Sequence, residues 1–210
     1  GQDPDGDRLA FDDENGNVLD NDEVLALVVD AVLGNMPGDV AVNLTTSSVI
    51  DDIAAAHGRK VYRTPVGEAN VVEMMQAVKA VIGGEGSNGG IIFPAVQYCR
   101  DSYTGMAFVL DLMERTGLPI SQLAARMPKY FRKSGKVTFE HGRLGTVMRD
   151  LEDAFPQATV DRRDGLKLLF DRGAWIHVRA SNTEPLLRYA VESKDSAQVE
   201  ELYRTVRERI

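Results

Sequence analysis

Cysteine is nearly missing from this chain of 210 residues. Cys99 stands alone, so no internal disulfide can form, and a reducing cytoplasmic compartment is the expectation. Positive charge is also scarce: 24 Lys and Arg face 32 Asp and Glu, for a net charge of −8. That balance argues against nucleic acid or an anionic membrane as a main partner, but it permits a small anion in a local basic pocket. No run is apolar enough to span a bilayer, no secretory signal opens the chain, and no low-complexity segment or internal repeat is visible. The remainder is ordinary for a globular protein. With 43% hydrophobic and 27% charged residues, the length suits one large or two modest domains with a real core. The sequence carries no signature of an oligomeric state.

Strand and helix signals alternate through the first 125 residues. Asn15-Gly16, between Leu9 to Phe11 and Val18-Leu19, reads as a hairpin turn. Asn21 or Asp22 is the expected cap of a helix carrying Leu25, Val28, Val29, Val32 and Leu33 at helical spacing, ended by Gly34. Val40 to Leu44 and Lys60 to Arg63 read as strands, with a helix through Ile53 to His57 between them. A helix over Asn70 to Ala80 follows, then a strand at Val81-Ile82 running into a glycine loop, Gly83 to Gly90. Ile91 to Phe93 and a helix from Tyr103 to Arg115 complete an α/β domain whose mixed, mostly parallel sheet is covered by helices. Past Pro128 come a strand from Tyr130 to Phe139, a helix from Leu144 to Phe155, and strands at Thr159 to Asp161, Leu166 to Phe170, Trp175 to Ala180 and Leu186 to Val191. With a last helix from Ser196 to Ile210, this predicts a smaller α+β domain with an antiparallel sheet. The expected divisions are 1–21, 22–127 and 128–210.

Three stretches carry chemistry. Asp3-Pro4-Asp5-Gly6-Asp7-Arg8 puts carboxylates at every second position, which a loop around a hard cation accommodates better than a helix or strand. A solvated acidic turn is the plainer alternative. An EF-hand fits poorly, because Arg8 stands where that loop requires glycine. The second stretch, Gly83 to Gly90, sets Glu85, Ser87 and Asn88 among five glycines. Its mix of donors and acceptors suits sugar hydroxyls; the alternative is a flexible turn. The third, Arg179-Ala180-Ser181-Asn182-Thr183-Glu184-Pro185, follows a strand and offers a guanidinium fork with neutral donors, a cradle for phosphate. Its alternative is a hairpin in which arginine pairs with Glu184. Lys167 and Arg188 lie on neighbouring strands, and a salt bridge from Arg188 to Glu192 is an equal expectation for the latter.

In this order, the stretches resemble the α-D-phosphohexomutases: phosphoglucomutase, phosphomannomutase and phosphoglucosamine mutase. The resemblance runs the length of the chain. Asp3 to Arg8 is similar to the family's Mg²⁺ loop, Arg63-Thr64-Pro65-Val66-Gly67-Glu68 to a loop beside the sugar, Gly84 to Gly89 to the sugar-recognition loop, and Arg179 to Pro185 to the phosphate-binding loop. It implies interconversion of hexose 1- and 6-phosphates through a phosphoserine and a hexose 1,6-bisphosphate. Mg²⁺ would sit on Asp3, Asp5 and Asp7, with Arg8 adding positive charge. Glu85, Ser87 and Asn88 would bind the sugar, and Arg179, Ser181, Asn182 and Thr183 the phosphate of a phosphorylated hexose.

The departures are equally specific. No serine here lies in the Ser-His-Asn context that carries the family's phosphate, and the first domain and most of the second are expected to be absent. The segment alone is therefore expected to be inactive, with a non-catalytic sugar-phosphate-binding module as the alternative. Glycine stands at 89 and 90 where a histidine is common, and no basic side chain is available at Pro65 or Glu68. His57 reads as a helix-end residue, while His141 and His177 have no motif around them. The metal loop is expected to be weakly occupied or disordered, and a hinge is expected near residues 126 to 130.

Overall fold

The computed structural model describes residues 1–138, 143–181 and 184–210. The chain forms two compact units, Gly1–Pro128 and Lys129–Ile210.

In the first unit, helix α1 (Asn21–Asn35) is capped by Asp20, one residue earlier than expected. The Asp20 carboxylate accepts from the Asp22 N–H, while the Asp20 N–H donates to Glu23 at 2.9 Å, a reciprocal pair that satisfies two orphan donors. The helix passes through Gly34 and ends where Met36 turns extended. Val24 to Val29 and Ala31 to Leu33 are all buried, so α1 is enclosed on most of its circumference instead of burying a single stripe.

Strands β1 (Val40–Asn43), β2 (Val61–Thr64), β3 (Ile82–Glu85) and β4 (Gly90–Ile92) form one sheet in the order β2-β1-β3-β4. The first three are parallel and β4 runs antiparallel to β3. Helices α2 (Val49–Ala56), α3 (Glu68–Val78), α4 (Ser102–Thr116) and α5 (Ile120–Arg126) complete the unit. The short α5, opened by Pro119 and anchored by buried Leu123, was not expected from the sequence.

Gly83 and Gly84 belong to β3, which corrects the eight-residue loop expected there. A Cβ on Gly83 would fall 2.7 Å from Met75 Sδ of α3, and one on Gly84 would fall 3.2 Å from Leu25 Cδ1 of α1. Successive strand residues face opposite sides, so α3 covers one face of the sheet and α1 the other. The true loop is one 3-10 turn, Gly86–Asn88, followed by Gly89 at φ +68°. The expected N-terminal hairpin has its turn at Asn15-Gly16 but only a single antiparallel bridge, Asp12 to Val18.

The second unit contains β5 (Phe131–Thr138), α6 (Leu144–Ala154), β6 (Thr159–Asp161), β7 (Leu166–Leu169), β8 (Trp175–Ala180), β9 (Leu186–Ser193) and α7 (Ser196–Arg207). Its sheet is antiparallel throughout, in the order β5-β9-β8-β7-β6. One face carries Leu166, Leu168, Ile176, Val178, Leu187 and Val191 against Val147 and Leu151 of α6 and Val199, Leu202 and Val206 of α7. The alternate residues Lys167, Trp175, His177, Arg179 and Glu192 therefore share the opposite face.

Candidate functional site

The first loop closes through a Gly6 N–H donated to the Asp3 carbonyl at 3.0 Å. Carboxylate oxygens of Asp3, Asp5 and Asp7 lie within 4.8 Å of one another. An octahedral Mg²⁺ spaces its ligand oxygens about 3 Å apart in cis and about 4 Å in trans. The side chains would have to draw slightly closer to share one ion, and an all-carboxylate donor set suits a hard cation. Desolvation pushes the Asp3 carboxyl up, but hydrogen bonds from the Arg8 backbone and from Asp7, with the Arg8 charge, hold it below its ordinary value. The Arg8 side chain is exposed, with Nε 3.6 Å from Asp3 Oδ2.

The glycine turn is physically joined to this loop. Arg8 bridges Gly90, and the Leu9 N–H donates to the Gly89 carbonyl at 3.1 Å. Gln2 also bridges Leu9, which frames the base of the loop. Asp3 and Arg8 consequently share a pocket of about 410 Å³ with Ser87, Asn88 and Asn21. Two of the three stretches singled out in the sequence thus meet in one place, and Asn21 is an addition that its position at a helix start did not reveal.

Glu85, Ser87 and Asn88 of the glycine turn sit differently. Asn88 is exposed and Ser87 half-buried, its Oγ 3.1 Å from Thr45 Oγ1. Glu85 is buried, and its Oε1 accepts from Asn43 Nδ2 at 2.8 Å and from the Gly67 N–H at 2.9 Å. Asn43 is itself fully buried, and its Oδ1 accepts from the N–H and hydroxyl groups of both Thr45 and Thr46. Arg63 turns toward the β1–α2 connection, donating to the Thr46 carbonyl at 2.7 Å and pairing with Asp51 at 2.5 Å.

Basic charge enters from Arg100, which lies outside the three stretches singled out in the sequence. Its Nη2 is 2.6 Å from Asp7 Oδ2, and its Nε is 2.9 Å from Glu68 Oε2 as an ion pair off the hydrogen-bond axis. Two residues on, Ser102 Oγ donates to the Gly6 carbonyl at 2.5 Å and accepts from Gln2 Nε2 at 2.5 Å.

In the second unit Arg179 is half-buried opposite Arg188, and buried Ser181 donates its N–H to the Leu186 carbonyl at 2.8 Å. Asn182 and Thr183, as well as Phe139 and His141, lie outside the described residues. Arg188 pairs with Glu184 at 2.9 Å and not with Glu192, which instead accepts from Trp175 Nε1 at 2.8 Å. Lys167 is buried with Nζ 4.4 Å from the centre of the Trp175 ring. His57 is the helix-end residue expected, 2.8 Å from Asp30.

His177 is buried beside Asp164, with Nε2 2.6 Å from its carbonyl. Burial, with Lys167 adding to it, lowers the imidazole from 6.5 to about 4. Between those values the unfolded chain takes up a proton that the folded chain excludes, so stability falls as the pH drops. The unit is expected to lose about 2 kcal/mol through His177 between pH 7 and pH 5. Urea denaturation at both pH values checks this against His177→Gln, which should flatten the difference. An equal pH dependence in the variant would assign the effect elsewhere.

Comparisons with known proteins agree with this architecture. Residues 20–130 match the family model described as phosphoglucomutase/phosphomannomutase, alpha/beta/alpha domain III, and residues 132–209 that of the phosphoglucomutase/phosphomannomutase C-terminal domain. A phosphoglucomutase/phosphomannomutase of Thermococcus kodakarensis is 39% identical over 202 residues, which cover 95% of this chain and 44% of that protein. A probable phosphoglucosamine mutase of Methanopyrus kandleri is 37% identical over 203 residues, again 95% of this chain and 44% of the relative. The crystal structure of a phosphoglucomutase/phosphomannomutase family protein from Burkholderia thailandensis superposes with a TM-score of 0.83 at 21% identity, over 100% of this chain and 45% of that one. The chain belongs to the phosphoglucomutase/phosphomannomutase family, and it spans under half the length of the curated relatives it matches. Among the described residues, no helix is long and apolar enough to cross a membrane.

Proposed function

We propose that this chain is the metal-, sugar- and phosphate-binding part of a cytoplasmic phosphohexomutase. The whole enzyme would interconvert hexose 1- and 6-phosphates through a phosphoserine and a hexose 1,6-bisphosphate. The observation that carries this reading is the shared pocket, in which Asp3 and Arg8 of the carboxylate loop face Ser87 and Asn88 of the glycine turn. A hexose held by the second pair lies within reach of the first.

Asp3, Asp5 and Asp7 would hold Mg²⁺, which offsets the charge of a phosphoryl group in transfer. Arg8, whose exposed guanidinium lies 3.6 Å from Asp3, would turn toward that group. Glu85, Ser87 and Asn88 would offer carboxylate, hydroxyl and amide partners to the sugar, with Glu85 held in place by Asn43 and Gly67. Arg179, Ser181, Asn182 and Thr183 would grip the phosphate that is not transferred. Binding energy from that remote group orients the reacting end. No serine of this chain stands in a phosphate-carrying context, so transfer would need one supplied by the rest of the enzyme.

Calorimetric titration with hexose 1-phosphate and hexose 6-phosphate, against free hexose and inorganic phosphate, tests the reading. Both sugar phosphates should bind better than either half. Arg179→Ala should weaken them by about 1.5–3 kcal/mol, the worth of a charged hydrogen-bond group. Absence of sugar-phosphate binding would defeat the proposal, and an unchanged affinity in the variant would remove Arg179 from the site.

A further inference from the structure

Arg100 touches the carboxylate loop, the end of the glycine turn and the start of α3, although it lies in none of the stretches that the sequence singled out. Its guanidinium pairs with Asp7 of the carboxylate loop and with Glu68 at the start of α3. Its backbone N–H donates to the second Glu68 oxygen at 3.2 Å. Its aliphatic stem lies on Gly90 at the end of the glycine turn, where an added Cβ would fall 2.3 Å from Arg100 Cδ. The side chain is 18% exposed and its partners Asp7 and Glu68 are 27% and 31% exposed, so this is a sheltered cluster and not a surface pair.

The local chemistry explains why such a group is needed. Three carboxylates crowded within 4.8 Å repel one another, and the oxygen of Asp7 that faces a cation depends on how the other is held. A carboxylate with one oxygen fixed by a guanidinium presents its second oxygen in a defined direction, the usual role of a partner behind a metal ligand. Arg8 engages Asp3 through its backbone N–H at 3.3 Å and through an exposed guanidinium at 3.6 Å. The firm anchor is on the Arg100 side.

We infer that Arg100 is a positioning residue for the metal loop: it orients Asp7 and ties the loop to the glycine turn through Gly90 and to α3 through Glu68. The inference rests on the reading of Asp3, Asp5 and Asp7 as Mg²⁺ ligands and adds a residue to it. Arg100 is also a cation beside a cation site, so two opposite effects compete. Orientation makes the site bind more tightly with Arg100 present, whereas simple charge repulsion makes it bind more tightly without. The sheltered, two-carboxylate grip favours orientation.

Mn²⁺ titration followed by electron paramagnetic resonance reads the site directly, without catalysis. In the 210-residue chain, Arg100→Ala should weaken Mn²⁺ about tenfold or more, in line with losses seen when a partner behind a metal ligand is removed. Arg100→Lys, which cannot hold Asp7 and Glu68 together, should recover only part of that loss. Gly90→Ala keeps the guanidinium but displaces its stem, and should also weaken Mn²⁺; it carries the test if Arg100→Ala does not fold. Unchanged or tighter Mn²⁺ binding in folded Arg100→Ala would overturn the positioning role and leave a bystander charge. Failure of the unaltered chain to bind Mn²⁺ would instead remove the metal reading, and the inference with it.

Discussion

Asn43→Ala is expected to destabilise the first unit by about 3 kcal/mol, the scale for stranding several buried polar groups at once. The side chain is fully buried at the end of β1, donating to Glu85 and accepting from the backbone and hydroxyls of Thr45 and Thr46. Alanine leaves the Glu85 carboxylate with one donor fewer and removes the acceptor of two N–H groups that water reaches poorly. The penalty is one of desolvation, not of lost packing, so a size-matched apolar residue should not rescue it. Asn43→Leu is therefore expected to cost at least as much. Thermal or urea denaturation followed by circular dichroism measures both. A loss under 1 kcal/mol in either variant would mean that the node around Glu85 reorganises freely, and the fixed glycine turn would have to be given up.

The second large effect is expected at Trp175, where replacement by alanine should cost about 4 kcal/mol, as is usual for an indole emptied from a closed site. Trp175 is fully buried on the sheet face opposite α6 and α7. The Arg132 guanidinium stands 5.4 Å and Lys167 Nζ 4.4 Å from the centre of its ring, while its Nε1 donates to buried Glu192. Alanine removes the apolar volume, both cation contacts and the hydrogen bond. Trp175→Phe retains most of the volume and a ring face, so it should cost about half as much, chiefly for the hydrogen bond to a charged acceptor. Because Trp175 is the only tryptophan, unfolding must be followed by circular dichroism and not by indole fluorescence. Equal losses in the two variants would show that the Glu192 bond, and not ring burial, dominates.

Much of the fold follows from periodicity that a reader of the sequence can see. Helical spacing marks α4, α6 and α7, and apolar runs mark β1 and β8, because in each the buried face is continuous. The glycine run is where composition misleads. Five glycines in eight positions suggest a loop, yet Gly83 and Gly84 are strand residues whose missing side chains admit the Ala41 and Gly90 carbonyls. Local propensity disfavours glycine in a strand, and tertiary contact requires it here. Arg188 shows a second limit. Residues 188 and 192 share a strand face, which makes their pairing plausible from sequence, but Glu192 is engaged by Trp175 across the β8–β9 register, leaving Glu184 as the partner.

The candidate site divides along the same line. The Asp triad, Ser87, Asn88 and Arg179 stand out as candidates because each lies in a short stretch dense in polar residues. Asn43, Arg100 and Ser102 act across the fold, each a single polar residue at the edge of a strand or helix with nothing unusual beside it. Their importance comes from partners 42, 93 and 96 positions away in sequence. Only the folded chain brings those partners together.

The joint between the carboxylate loop and β4 has a consequence for solubility. β4 is the outer strand of its sheet, and Arg8 with Leu9 pairs against its start at Gly89 and Gly90. Outer strands with open backbone groups invite pairing with another molecule. The segment that presents the carboxylates thus also guards this rim, held down by buried Leu9, which fits against α4 where Gly105 leaves room. A chain shortened past Leu9 would lose Asp3, Asp5 and Asp7 and expose a sticky edge in the same stroke, so its precipitation would say nothing about cation binding.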